Sequence, residues 1–439
     1  MLRGILYILG YARRCVRFLV FMAVALFLPK LGVLYMQTQA KGEVISSQGP
    51  LRLGIENITD EFLRSLTPKG DLSYTVGLVT NQSGKNQAGK RTIDILVAHG
   101  LKVKKIFVPE HGLDGIIDGY DHDKERVHHD KITKIPVVLL YGDSAPKRLD
   151  GTSLHDIDVL MFDIQEMGMR HNTYLTTLFQ TLEAVAAHKK KLVVFDRPNA
   201  LGSSMEGPLV EDAFKSVISY AAIPIRHGMT VGELALYYNE HCAEQKAQIH
   251  VVPMANYNRY QPLYKVSRLS PNIDNINSCY GYSFLGMLGE VTPFDVAVGT
   301  DKAFQCITLP DSIKFPQKKW YELMTLLKEQ GVESKFHRFY SPRKKEYCSG
   351  LRLHIPDVNL VASFKSLLMV LTFFKKSGIE LQFSKSFDKA VGTNKVREYV
   401  DGRMSKYELE TAVNTCLHEF FNKATVAFKY RPHPYVVQL

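Results

Sequence analysis

Four stretches of this chain end in clusters of residues that can exchange protons or hold a hydrogen-bonding ligand. Asn81-Gln82, Pro109-Glu110-His111-Gly112, Asp163-Ile164-Gln165-Glu166 and Asp196-Arg197-Pro198-Asn199 each follow a short strand-like run. The runs, residues 75–80, 103–108, 159–162 and 192–195, read as buried β-strands. In an open parallel sheet the carboxyl ends of the strands form one edge, and ligands bind in the crevice outside it. Carboxylates, Arg, His and amides at all four tips would build a site for a polar, hydrogen-bonding substrate.

The sharpest pair is Glu110-His111. A carboxyl at a strand tip in a cleft is partly desolvated, which moves its pKa toward the range of a general acid. Glycosidic cleavage needs such an acid and a second group that stabilises or attacks the anomeric carbon. The competing role for Glu110 is to cap the next helix. Asp163, Glu166 and Arg170 supply two carboxylates and a guanidinium within eight residues. Arg is the best fork for a substrate carboxylate, although the same trio could form an internal ion-pair network. Asp196, Arg197, Asn199 and Glu206 belong to a tight polar loop, equally consistent with a structural turn. Arg226-His227-Gly-Met-Thr230 precedes a helix start, a ready anion site, and His227 could equally be a satisfied buried histidine.

Residues 118–130 contain Asp121-His122-Asp123 and His128-His129, but the spacing matches no standard ligand set and no metal is expected. The chain has no Walker loop, GxGxxG or GxSxG motif, so nucleotide and serine-hydrolase chemistry have no support.

Strand and helix patterns alternate over the first half. A helix is expected at 92–98, a doubly buried strand at 137–141 and a helix with apolar spacing at 173–188. Thr230 and Glu233 form a capping box that opens a helix to 241. This alternation implies a doubly wound parallel sheet. The second half opens on a loop at 270–275, then shows helices at 320–329, 361–375 and 406–422 with a strand at 347–355. The fold class is therefore α/β: a Rossmann-like parallel-sheet domain over 50–258, followed by a smaller α+β domain over 259–439.

At 439 residues, 45% hydrophobic and 23% charged, the chain has the composition of a globular protein. Its net charge of +11 owes six positive charges to Arg3, Arg13, Arg14, Arg17, Lys30 and Lys41, all before the first acidic residue. The rest is scattered, with no basic stripe among aromatics, so nucleic acid is not expected as a partner. Arg13, Arg14 and Arg17 precede an apolar run at 18–28, the arrangement of a signal peptide or N-terminal membrane anchor over residues 1–45. Either form exports the rest, to a periplasmic or extracellular location. Cys242, Cys279, Cys306, Cys348 and Cys416 are too sparse for a disulfide framework, and buried free thiols are expected.

Taken together, the ordered motifs resemble the exo-β-N-acetylmuramidase NamZ family. They are Gly77-Leu-Val-Thr-Asn-Gln82, Pro109-Glu-His-Gly112, Phe162-Asp-Ile-Gln165, Asp196-Arg-Pro-Asn199, Glu206-Gly-Pro208, Pro224-Ile-Arg-His-Gly-Met-Thr230 and Ser270-Pro-Asn272. Phe387-Asp-Lys-Ala-Val-Gly-Thr393 with Arg397-Glu398 resembles the family's C-terminal domain. The resemblance implies an exolytic glycoside hydrolase that needs no cofactor and releases N-acetylmuramic acid from peptidoglycan glycans, in a cleft between two domains. Glu110 becomes the leading acid with His111 beside it, and Glu290 or Glu166 the second carboxylate. Asn81, Asp163, Arg170, Arg197, Asn199, Glu206, Arg226, His227 and Asn272 become candidates for holding the sugar.

The chain also departs from the family pattern. A usual Glu-Gly-Thr-Asn-x-Ser-Glu-Gly-Arg-Gly-Thr run reads Glu290-Val-Thr-Pro-Phe-Asp-Val-Ala-Val-Gly-Thr300, which places Val296 and Val298 where a Glu and an Arg are expected. The usual Arg-Phe-Tyr-Thr-Tyr reads Arg170-His-Asn-Thr-Tyr174. Two other functions fit such a chain, a catalytically silent wall-glycan binding protein and a hydrolase for another amino sugar.

Overall fold

The strand-forming runs assemble side by side in one seven-stranded sheet. Its members are β1 (Thr75–Thr80), β2 (Lys102–Val108), β3 (His128–His129), β4 (Pro136–Leu139), β5 (Val159–Asp163), β6 (Lys191–Phe195) and β8 (Gln248–Val252). The order is β3-β4-β2-β1-β5-β6-β8, parallel throughout except for the β3–β4 pair. A two-residue strand, β7 (Ser204–Met205), pairs instead with Tyr435–Val436 near the C-terminus. The computed structural model describes residues 49–115, 128–141, 149–261, 263 and 268–439, and Leu51–Leu439 form one compact unit. The leader and the Asp121-His122-Asp123 segment lie outside the described residues.

Burial on both faces explains why β1, β5 and β6 read as apolar runs, whereas β2 and β8 begin exposed. β4, expected to be doubly buried, is half-buried at all but Val137 because it lies one strand from the sheet edge. Val76 and Leu78 of β1, Val159 and Met161 of β5, and Val193 and Phe195 of β6 share one apolar cluster with Leu63, Ile93 and Leu96 of the helices Asp60–Ser65 and Thr92–Ala98. Val79, Leu160, Phe162, Leu192 and Val194 face the other way, toward the helices Thr173–Ala187 and Val231–His241. The period-2 alternation thus sorts each strand between two helical layers.

The chain builds outward from β1 to β2 and β4, then returns to place β5 on the other side of β1. The order reverses between β1 and β5, and the crevice of a doubly wound sheet opens at such a reversal. The strands whose tips carry Glu110, Asn81, Asp163 and Asp196 are the four contiguous ones, β2-β1-β5-β6.

The C-terminal half is a smaller α+β region. A three-stranded antiparallel sheet (Cys306–Pro310, Glu346–His354, Glu333–Ser341) packs with the helices Ile276–Leu288, Gln317–Glu329 and Ser363–Lys376. The helix Lys406–Ala424 returns to the first half, where its Leu417, Phe420 and Ala424 join the apolar cluster of Val79 and Phe162. The helix Ile276–Leu288 and the strands Cys306–Pro310 and Glu333–Ser341 are additions to the elements read from sequence. The five cysteines of this unit are free thiols, with Cys279, Cys306 and Cys348 buried, Cys242 half-buried and Cys416 exposed.

Candidate active site

Glu110 stands two residues beyond the end of β2, where His111 and Gly112 both take positive φ (72° and 73°) and turn the chain sharply. For a non-glycine residue that conformation costs on the order of 1 kcal/mol and more, and such strain gathers at functional sites. Thr173 Oγ1 donates to Glu110 Oε2 at 2.7 Å. Thr173 is the first residue of the helix Thr173–Ala187, so the carboxylate sits at a helix N-terminus, where the backbone dipole favours negative charge.

The groups around Glu110 share an unusual feature. Asn81 Oδ1 accepts from the Ser83 amide at 2.9 Å, but its Nδ2 is buried without a partner among the described residues. Gln82 Nε2 donates to the carbonyls of Arg268 and Leu269, while its Oε1 is buried and unpaired. Asn172 caps the helix by accepting from the Tyr174 amide at 2.9 Å, and its Nδ2 is likewise unpaired. His171, 7% exposed, has no partner for either ring nitrogen and packs on the Tyr282 ring at 4.6 Å between centroids.

These residues converge. Burial raises the phenol pKa of both Tyr174 and Tyr282, and the negative charge of Glu110 raises each further; Glu290 adds to the effect on Tyr282. The Tyr174 hydroxyl donates to the Leu269 carbonyl at 2.6 Å and lies against Asn81 and Gln82. Buried polar groups are nearly always paired, with protein or with ordered water, so several orphans around one carboxylate set this corner of the fold apart from the rest of the polar interior.

The other candidate residues are placed elsewhere or are already engaged. Asp163 is fully buried and takes a two-pronged bond from Arg197, at 2.5 Å (Nε–Oδ1) and 2.8 Å (Nη2–Oδ2), with Thr92 Oγ1 also donating to it. Arg170 donates only to neutral oxygens: the carbonyls of Pro208, Ile223, Ala390 and Val391, and Ser219 Oγ. Burial pulls its guanidinium down to about 9, which still leaves it protonated at neutral pH. Arg226 pairs with Glu206 at 2.8 Å, and the Glu206 oxygens also accept the Ser363 and Phe364 amides at the start of the helix Ser363–Lys376. Asp163, Arg197, Arg170, Arg226 and Glu206 therefore tie the fold together.

Glu166 accepts the Gly168 amide with both oxygens and faces His227 Nε2 at 3.1 Å. The Met229 amide donates to His227 Nδ1, so Nε2 carries the proton and donates to Glu166. Asn199 is spent on the Leu201 amide and the Met229 carbonyl. Two candidates lie toward the C-terminal half. Asn272 Oδ1 accepts from the Gly299 amide at 3.2 Å, and Glu290 accepts from Ser384 Oγ at 2.7 Å.

His171, Asn172, Thr173, Tyr174 and Tyr282 were not among the sequence candidates. His171 and Asn172 stood out in sequence as a departure from the family pattern, and Thr173 and Tyr174 as matches to it, but the four read as a helix start rather than as site residues; Tyr282 lay in a segment with no amphipathic pattern. His128-His129 form an exposed edge strand and Asp130 pairs with Arg91 at 2.6 Å. Among the described residues no cluster of His, Cys, Asp or Glu could hold a metal ion.

Two sequence families of paired domains match the chain. The description "Exo-beta-N-acetylmuramidase NamZ, N-terminal" covers residues 76–277, and its C-terminal counterpart covers 280–430. The chain belongs to the NamZ family. It is 30% identical over 383 residues to the peptidoglycan β-N-acetylmuramidase NamZ of Bacillus subtilis (strain 168), covering 84% of this chain and 89% of that one. A DUF1343 family protein from Bacteroides fragilis NCTC 9343 superposes with a TM-score of 0.75 at 27% identity, over 87% of this chain and 99% of that one. A second such protein from the same organism, 24% identical with a TM-score of 0.68, shares the fold.

Within the NamZ framework the two valine departures are packing residues. Val296 is 2% exposed in the C-terminal apolar cluster, and Val298 packs against that cluster. A charge at 296 would be buried there and would need a partner. The His171-Asn172 departure instead supplies two of the orphaned groups.

Proposed function

We propose that this chain is an exported glycoside hydrolase that removes N-acetylmuramic acid from the non-reducing end of peptidoglycan fragments. Family membership supports the reaction class. The observation that carries the reading is Glu110, held by Thr173 at the switch-point edge of the sheet among buried polar groups that lack partners. Glu110 protonates the glycosidic oxygen of the leaving sugar, and His111 orders the turn that presents it. Glu290 is the second carboxylate in this reading, because it takes only the Ser384 hydroxyl among the described side chains, whereas the Glu166 oxygens are engaged by Gly168 and His227. The acetamido group of the substrate could also serve in place of a protein nucleophile, a known route among glycosidases.

A glycan strand with defined ends tests the exolytic claim. Digestion should release free N-acetylmuramic acid one residue at a time from the non-reducing end, and oligosaccharides from internal cuts would refute it. A second reading, a wall-glycan binding protein without turnover, draws on the burial of Val296 where the family pattern carries a charge. That reading requires saturable binding of the same strand with no product.

Export rests on the basic and apolar leader. Sequencing the N-terminus of the protein recovered outside the cytoplasm should show a start near Ala40 or an intact leader held in a membrane. Recovery only from the cytoplasm would overturn export.

A further inference from the structure

The antiparallel sheet of the C-terminal half carries large aromatic rings at its surface. In the strand Glu333–Ser341, Phe336, Arg338 and Tyr340 alternate onto one face, opposite Leu351, Ser349 and Tyr347 of the strand Glu346–His354. Tyr340 and Tyr347 are 53% and 49% exposed, and Phe336 and Tyr321, the latter on the helix Gln317–Glu329, are exposed as well.

The four rings form one row. Tyr321 meets Phe336 edge-on at 5.1 Å between centroids, and Tyr340 meets Tyr347 in the same way at 5.5 Å. Between the pairs, the Arg338 guanidinium lies 4.2 Å from the centre of the Tyr347 ring. It also donates to Asp311 at 2.7 Å, and Asp311 accepts Ser349 Oγ at 2.6 Å. From Phe336 to Tyr340 the row runs about 14 Å along the strand. A contiguous exposed patch of this kind marks an interaction surface.

The pattern of the row selects its occupant. A sugar ring has apolar C–H faces and a rim of hydroxyls, so it matches aromatic rings interrupted by a guanidinium and a carboxylate that can hydrogen-bond. The turn that closes the hairpin adds charge, because Arg343, Lys344 and Lys345 make no ion pair among the described residues. A wall glycan carries carboxylates, on its lactyl groups or on the peptides attached there, and these complement the turn. An anionic lipid surface fits less well. Asp311 stands within the row, and its bonds from Ser349 and Arg338 hold the carboxyl below the usual carboxylate range.

The row also leads toward the candidate active site. Pro342, in the turn, lies against Gly299, whose amide donates to Asn272 Oδ1 at 3.2 Å. In the same loop the Leu269 carbonyl accepts from the Tyr174 hydroxyl and from Gln82 Nε2. The Tyr340–Tyr347 end of the row therefore adjoins the loop that borders the site.

We propose that Tyr340 and Tyr347, with Arg338 and the basic turn, bind the stretch of a wall glycan strand beyond the sugar being removed. The assignment rests on the muramidase reading for the nature of the strand, and on the exposed rings and unpaired cations for its chemistry. The surface sets affinity for long strands and does not touch the reacting sugar.

Co-sedimentation of the purified chain with insoluble peptidoglycan, in the cold, tests the surface. Hydrolysis of N-acetylmuramyl-β-1,4-N-acetylglucosamine, a substrate that ends one sugar beyond the cut, is followed in parallel. One variant combines Tyr340→Ala with Tyr347→Ala, and another combines Arg343→Glu, Lys344→Glu and Lys345→Glu; unfolding transitions confirm that both fold. Each should weaken binding to the wall by about tenfold, on the scale of two aromatic contacts, and leave the rate on the disaccharide unchanged. Wild-type affinity for the wall in either folded variant overturns the surface and leaves the muramidase reading standing, even where affinity for phosphatidylglycerol vesicles falls. A wild-type dimer that the aromatic variant breaks also overturns it, as an interface between copies. Wall binding lost in both variants, with no turnover of the disaccharide by the wild type, overturns the hydrolase reading and leaves the surface standing.

Discussion

At the scale of single residues, the fold separates two uses of the same side-chain types. Arg197, Arg226 and Arg259 are consumed by buried ion pairs, while the amides and the imidazole near Glu110 are left without partners. His171 has a consequence for stability that can be measured. Its pKa falls from 6.5 to about 3 in the folded chain, mainly through burial. Between those values the unfolded state binds the extra proton, so stability rises with pH across the window and is lost as the pH falls below 6.5. The limiting slope is about 1.4 kcal/mol per pH unit. Urea unfolding at pH 5 and pH 7 should therefore show a smaller difference for His171→Phe than for the wild type, by about 2 kcal/mol. An identical difference in the two proteins would mean that His171 does not titrate in this way.

At the scale of elements, the strands that were legible in the sequence are those whose burial on both faces leaves an unbroken apolar run. β1, β5 and β6 fall into this class; β2 is interrupted by Lys104 and Lys105 and is continuously buried only from Ile106 to Val108, yet the tips of all four could be named before their neighbours were known. The helix Thr92–Ala98 and the Thr230/Glu233 capping box were legible too, because spacing and caps are local signals. Ile276–Leu288 was not, since it is buried almost all round and shows no amphipathic stripe. Nor was Glu333–Ser341, whose side chains lie largely exposed along a sheet edge. The site was half legible: Glu110 could be found from its strand tip. The pairing of Asp163 with Arg197, or of Glu206 with Arg226, depends on contacts across 34 and 20 residues that no local pattern encodes.

The capping box invites a local test. Thr230→Ala should lower stability by about 1 kcal/mol in thermal unfolding, because Thr230 Oγ1 accepts the Glu233 amide at 3.2 Å and donates to Asp196. No change would show that the cap contributes nothing here.

At the scale of the whole molecule, the two halves are joined by buried polar bonds as well as by apolar packing. Arg170 reaches from the first half to the carbonyls of Ala390 and Val391, and Arg226 to those of Val358 and Val361. The helix Lys406–Ala424 crosses back onto the first sheet. We expect one cooperative unfolding transition, seen alike by far-UV and near-UV circular dichroism. Arg170→Ala should lower stability by about 3–5 kcal/mol, because it strands several buried acceptors at once. Two separated transitions, or a loss below about 1 kcal/mol, would contradict that picture.

The central claim is that Glu110 is the acid of a muramidase. The most direct measurement compares the purified wild type with Glu110→Gln on N-acetylmuramyl-β-1,4-N-acetylglucosamine, with products followed by mass spectrometry. Free N-acetylmuramic acid should form with the wild type, and the variant should be slower by about 10²–10⁴-fold while binding and unfolding stay unchanged. Equal rates in the two tubes, or an intact disaccharide in both, would contradict the account.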